Sequence, residues 1–428
     1  MNHLSECQQK AYTHYINGEN VFITGPGGTG KSYFIKKVYE NAKSRGLNVS
    51  VTAMTGCAAL LLDCHAKTIH SWGSIGLGTD PMDTIIKRIV KYRKRDVWIH
   101  TDLLIIDEVS MLSCELFELL YKIAQHFRHN KKPFGNMQII FSGDFHQLPP
   151  VSKDSKFCFE SPFWNECFTN QIVLVENFRQ KGDNTYQQIL NEIREGNISE
   201  ESKDILRKCL NKKKNDQVSP TLLYPVKRLA EQINLFENIS IDGEEKVYKM
   251  KYIESPNKKV EEELIKQKKN LIVDEELRLK IGSQVMCAIN LDQEQGIING
   301  SQGKVIGFNE QNEPIIKFFY KNTIRTISAH KWYNDIYETN GISQIPLILS
   351  WAITIHKSQG ITLEYANINI GSNIFECGQS YVALSRVKSL EGLYIQGLDF
   401  TKIKSNPKVI KFYDSFASRN ILEANQKK

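Results

Sequence analysis

Gly25, Pro26, Gly27, Gly28, Thr29, Gly30, Lys31 and Ser32 spell GPGGTGKS, which fits the phosphate-binding pattern G-x-x-x-x-G-K-[ST]. A short apolar, β-branched run, Val21 to Thr24, leads into it, and SYFIKKVYENAKSRG follows with apolar spacing that predicts a helix. In a strand–loop–helix of this kind the glycines let backbone N–H groups close around a β-phosphate. Lys31 would reach the β/γ oxygens, and the Ser32 hydroxyl would hold Mg²⁺ at the helix N-terminus. A glycine-rich turn carrying a chance lysine is the blander reading, and the flanking strand and helix argue against it.

Working outward, NVSVTAMT, DLLIIDE, MQIIFSGD and QIVLV are continuous apolar runs of the kind that form buried parallel strands. Helical segments separate several of them, so the first half predicts a doubly wound α/β domain. LLIIDEVSM puts Asp107 and Glu108 at a strand end. Alone, two acids there are a solvated strand end. Beside a phosphate loop, Asp107 would hold Mg²⁺ and Glu108 would orient and polarise an attacking water. MQIIFSGDFHQLPPV ends with Asp144 and Gln147, and a glutamine so placed could sense the γ-phosphate or its water; His146 is given no catalytic part. Arg179 in ENFRQ and Arg386 in YVALSRVKS are read as coming from outside the first phosphate-loop unit, each able to cap γ-phosphate charge as a finger.

After Arg179 come a helical stretch, TYQQILNEIREGN, a lysine-rich NKKKND and the strand-like PTLLYP, where a second α/β unit begins. From about Ile241 to His330 short alternating strands with turn signals, such as GSQVMCAIN, NGSQGKVIGFNE and PIIKFFY, predict a small inserted β-barrel. The α/β text resumes at QIPLILSWAITIHKSQG and runs to Ile395.

The chain has 428 residues, enough for two or more domains, and its 41% hydrophobic and 24% charged residues suit a soluble globular protein. A net charge of +7 is compatible with a polyanionic partner without requiring one. The nine cysteines are odd in number and lack zinc-ribbon or redox spacing, which predicts reduced thiols in an intracellular compartment. The start, MNHLSECQQK, predicts no secretory or transit leader, and no run is long and apolar enough for a membrane span. The basic stretches KRIVKYRKRD, NKKKND and KQKKN could contact nucleic acid, and the solvated face that a charge run usually forms is the slightly preferred reading.

LSECQQ, GPGGTGKS, TAMTGCAA, TIHSWGSIGLG, LLIIDEVSM, GDFHQLPPV, FRQ, AITIHKSQG and YVALSRVKSLEGL occur in order, and together they resemble Pif-type helicases and their RecD-like relatives in superfamily one. The likeness covers roughly Leu4 to Leu398. It implies two RecA-like parallel-sheet domains with a small SH3-like barrel inserted in the second: residues 1–180, then 181–240 with 341–428, and 241–340 as the insertion. It implies an ATP-dependent DNA helicase that uses Mg²⁺ and moves 5′ to 3′ on single-stranded DNA, acting on forked or structured DNA as a monomer, with replication or repair proteins as partners. Carried over by position, Gln8 would read the adenine, and Gln359 and Gly360 would face the nucleotide from the second domain. Thr55, His70, His356 and Ser358 would lie along the single strand. Larger family members carry long N-terminal extensions, and the resemblance here describes a compact core. Two other classes stand beside this one: a phosphate-loop ATPase that remodels protein or phosphorylates a small molecule, and a nucleic-acid-binding protein with an inactive nucleotide site. RNA is a narrower rival substrate.

Overall fold

A computed structural model describes residues 4–62, 64–150, 156–210, 212, 220–292, 295, 297–319, 322–334 and 339–426. Most of the NKKKND run and the side chains of Lys266 and Lys269 in KQKKN lie outside the described residues. The chain divides into two compact units. The first comprises Met1–Ile198, Glu376–Val382 and Ile403–Lys428; the second comprises Ser199–Phe375 and Ala383–Lys402.

In the first unit, β1 (Val21–Thr24), β2 (Val49–Ala53), β3 (Lys67–Thr68), β4 (Leu103–Asp107), β5 (Gln138–Gly143) and β6 (Asn170–Val173) form one sheet. Its order is β3-β2-β4-β5-β1-β6 and every pairing is parallel. Because side chains alternate along a strand, the apolar runs split between two cores. Val21, Ile23, Leu103, Ile105 and Ile140 pack on one face with Ala11 and Tyr15 of α1 (Glu6–Ile16) and with Phe34, Ile35 and Val38 of α2 (Lys31–Ser44). Phe22, Leu104, Ile106, Ile139 and Phe141 pack on the other with Phe117, Trp164 and Phe168. Each such side chain contributes about 1.5–3 kcal/mol on burial. A sheet covered on both faces explains why these strands read as unbroken apolar runs.

The unit boundaries differ from those expected in two places. The helix Asn184–Glu195 belongs to the first unit rather than the second, burying Tyr186, Ile189, Leu190 and Ile193. The C-terminal helix Pro407–Gln426 also joins the first unit, where Val409 and Phe416 share a core with Phe22, Phe145 and Trp164. Apolar packing ties the C-terminal helix to this unit and the Arg194–Asp144 ion pair ties the other, long-range contacts that local text does not carry.

The second unit has a parallel four-stranded sheet in the order Ala352–Thr354, Thr221–Tyr224, Ala366–Ile370, Leu393–Leu398. Inserted between Thr221–Tyr224 and Ala352–Thr354 is a β-rich region of antiparallel strands, from Lys246–Lys249 to Leu347–Leu349. It extends past the expected end at 340. It also contains a helix, Lys258–Asn270, that the strand reading passed over; Asn257 caps it by accepting from the Val260 N–H. Two RecA-like α/β sheets with an inserted β-rich subdomain are therefore present. Among the described residues no helix is long and apolar enough to cross a membrane, and the eight cysteines whose side chains are described are all free.

Candidate nucleotide site

β1 delivers the chain into the glycine loop, and α2 begins at Lys31. Gly25 (φ +146), Gly28 (φ +90) and Gly30 (φ +82) adopt backbone that favours glycine. The space is tight as well: a Cβ on Gly25 would meet the Leu174 carbonyl oxygen at 2.4 Å, and one on Gly28 would meet Arg179 Cβ at 2.5 Å. Thr29 Oγ1 donates to the Pro26 carbonyl at 2.9 Å and pins the turn. Lys31 Nζ donates to the carbonyls of Gly25 (2.6 Å) and Pro26 (3.0 Å), which folds the ammonium over the loop. Burial lowers its pKa, against the pull of Asp144, Glu108 and Asp107. Ser32 is exposed one residue into the helix.

Asp107 ends β4 and is buried; burial raises its pKa, while Ser142 and the Lys31 charge oppose the rise. Glu108 follows in the left-handed conformation (φ +57), an uncommon geometry for a non-glycine residue and one that turns the chain sharply off the strand. β5 ends beside it so closely that a Cβ on Gly143 would meet the Val109 nitrogen at 2.9 Å. Gln147 is 5% exposed and its N–H donates to the Asp144 carbonyl at 2.8 Å. Gly378 packs on that loop, where a Cβ would lie 2.5 Å from the His146 carbonyl oxygen.

Arg179 is a correction: it lies in the same unit as the phosphate loop and packs against Gly28, because β6 runs alongside β1 and delivers ENFRQ to the loop. Asn177 makes this contact specific. Its Nδ2 donates to the Gly27 carbonyl at 3.3 Å, while its Oδ1 accepts from the N–H groups of Arg179 and Gln180. Phe178, 44% exposed, donates its N–H to the Gly28 carbonyl and sets its ring near Gly30 and Gln8, a flat apolar face at the loop's rim. On the other side the Gly27 N–H donates to the Tyr381 hydroxyl at 2.9 Å. Asn177, Phe178 and Tyr381 sat inside stretches already singled out, ENFRQ and YVALSRVKS, but nothing in their spacing marked them.

Gln8 is placed against the loop. Its Nε2 donates to the carbonyls of Gly30 (3.2 Å) and Thr29 (3.5 Å), and its Oε1 accepts from Ser5 N in a capping box. The side chain thus supports the glycine loop. Arg386, Gln359 and Gly360 belong to the second unit, where Arg386 is 2% exposed and Gln359 is buried. Of the expected strand contacts, Thr55 caps the helix Gly56–Leu61 and His70 is half-buried, with burial lowering its pKa. His356 is exposed. Ser358 is fully buried and donates its hydroxyl to the Ile355 carbonyl, so its side chain serves the turn rather than the surface.

Residues 3–204 match the family described as PIF1-like helicase, and residues 265–308 match the DNA helicase Pif1 2B domain. The chain is 34% identical over 443 residues to the ATP-dependent DNA helicase PIF1 of Danio rerio, covering 98% of this chain but only 65% of that relative's length. Among solved structures, the Pif1 helicase from Candida albicans is 33% identical with a TM-score of 0.79, covering 97% of this chain and all of the other. The Bacteroides Pif1 helicase in complex with ADP-AlF3 and single-stranded DNA is 27% identical with a TM-score of 0.68, covering 98% of each chain. With the glycine loop, the Asp107–Glu108 strand end and the inserted β-rich region all falling where those matches run, the chain belongs to the PIF1-like helicase family.

Proposed function

We propose that this chain is an ATP-dependent DNA helicase that couples ATP hydrolysis to 5′–3′ movement along single-stranded DNA and opens forked or structured duplexes. The observation that carries the reading is the grouping, at the C-terminal ends of neighbouring strands, of Lys31 in its glycine loop with Asp107–Glu108 and Gln147. The Bacteroides relative holds both a nucleotide and single-stranded DNA, which supports both ligand classes.

In this reading the loop N–H groups cradle the phosphates and Lys31 leaves the Gly25 and Pro26 carbonyls for the β/γ oxygens. Glu108, turned off the end of its strand in the left-handed conformation, holds and polarises the water. Gln147 senses that water, while Arg179, already packed on Gly28, meets charge growing on the γ-phosphate. Mg²⁺ suits the donors, since the Ser32 hydroxyl and Asp107 carboxylate are hard oxygens; when bound it neutralises phosphate charge. Phe178 offers its ring to the base, with Gln8 beside it. Arg386, Gln359 and Gly360, which belong to the second unit, take part in nucleotide turnover as the family resemblance implies. Thr55, His70 and His356 touch phosphates and sugars, so binding is weakly sequence-selective and salt-sensitive. The protein works as a monomer in a reducing intracellular compartment, alongside replication or repair proteins.

The test is steady-state ATP hydrolysis titrated with single-stranded DNA, single-stranded RNA or neither at fixed salt, followed by forked substrates with opposite tails. Strong stimulation by DNA and unwinding only from a 5′ tail support the reading. Turnover indifferent to nucleic acid sinks it.

A further inference from the structure

The glycine loop and the Gln147 loop leave the sheet side by side, because Thr24 and Gly143, the last residues of β1 and β5, are register partners. Tyr413 of the C-terminal helix reaches both exits. Its hydroxyl oxygen lies 2.6 Å from Thr24 Oγ1, accepts the Phe145 N–H at 3.1 Å and stands 3.4 Å from Asp144 Oδ1. Asp144 is fully buried and held from the far side by Arg194, through Nε at 3.0 Å and Nη2 at 2.8 Å. Arg194 lies 5.1 Å over the Tyr413 ring, and His146 stacks on that ring at 4.9 Å, with its Nδ1 2.9 Å from Ser405 Oγ.

Helix anchoring alone does not account for this arrangement. Phe412 and Phe416 already seat the helix against Phe22, and Phe412 also packs on Phe145 and Trp164. An apolar ring at 413 would serve that purpose as well. The hydroxyl, unlike the ring, joins the residue just before Gly25 to the backbone two residues ahead of Gln147. Asp144, with both oxygens engaged by Arg194, is committed to holding this junction rather than to proton transfer.

We propose that Tyr413 is a positioning residue for ATP hydrolysis, its hydroxyl setting the spacing between the glycine loop at Thr24–Gly25 and the Asp144–Gln147 loop. The C-terminal helix thereby tunes the alignment of Lys31 and Gln147 without touching substrate. This rests on the hydrolysis reading above.

The experiment compares the full chain with Tyr413→Phe, Thr24→Val and, as an exposed control on the same helix, Lys411→Ala, by ATP turnover at saturating single-stranded DNA and by thermal melting. Misalignment of reacting groups by a fraction of an ångström predicts that Tyr413→Phe and Thr24→Val lower kcat about tenfold while KM for ATP stays within about twofold. Tm should stay close to the parent's in both, and Lys411→Ala should match the parent throughout. Parental kcat in both junction variants overturns the proposal, as does a kcat loss that only tracks a fall in Tm. A parent chain that turns over no ATP defeats the hydrolysis reading and this inference with it, whereas an active parent with active variants defeats this inference alone.

Discussion

The Gln8 side-chain amide donates to the Gly30 carbonyl at 3.2 Å while its own carbonyl accepts from Ser5 N at 2.9 Å, so one residue closes the cap of α1 and braces the glycine loop. Gln8→Ala removes both contacts. KM for ATP should rise several-fold, and loss of the capping box should cost about 1 kcal/mol of stability. A KM titration with a denaturation curve checks this; unchanged KM would confine Gln8 to the helix cap.

Lys31→Ala removes the ammonium that, in the proposed reading, gathers phosphate charge, but it removes little packing. Hydrolysis should fall below detection, with Tm within a few degrees of the parent. Near-normal turnover in a single-turnover assay would sink the assignment of the site.

Gly28→Ala forces a side chain onto a φ of +90° and to 2.5 Å from Arg179 Cβ. The backbone strain is about 1–3 kcal/mol, and relief requires moving either the loop or the ENFRQ segment. ATP affinity should drop at least about tenfold. Binding of a fluorescent ATP analogue at the parental Kd would mean the loop's shape is not what holds the phosphates.

Acid should weaken the first unit in two stages. Burial, then the Arg194 charge, hold His146 down to about 4, against the counter-pull of Asp144; Tyr413 and Ser405 are its other neighbours. Burial pushes the Asp144 carboxyl up, but Arg194 outweighs it and brings it down to about 2. Both groups bind protons more readily when unfolded, so both give stability that is present at neutral pH and lost on acidification. His146 loses its share as pH falls from about 6.5 to 4, and Asp144 as pH falls from about 4 to 2. The His146 share is on the order of 3 kcal/mol. His146→Gln should therefore flatten the Tm–pH curve between pH 6.5 and 4, and identical slopes in parent and variant would count against it.

Arg386→Ala should reduce kcat by two orders of magnitude or more while leaving the nucleotide Kd within about threefold, the pattern of a group that acts on the transition state. Equal losses in both would assign it to ground-state binding.

Local sequence determined much of this protein. GPGGTGKS between an apolar strand and a periodic helix dictates the glycine loop, and the unbroken runs around Ile105 and Ile140 dictate a sheet buried on both faces, because glycine freedom and side-chain alternation act over a few residues. Tertiary structure decided the rest. Arg194 pairs with Asp144 across 50 positions, and Thr24 meets Tyr413 across 389, so neither partner's role shows in its own neighbourhood. Arg179 became a loop-side residue through the β1–β6 pairing, and Ser358 turned inward to the Ile355 carbonyl. Periodicity sets which face of a strand or helix is apolar, but which distant polar group meets which is settled only when burial leaves no water to satisfy either one.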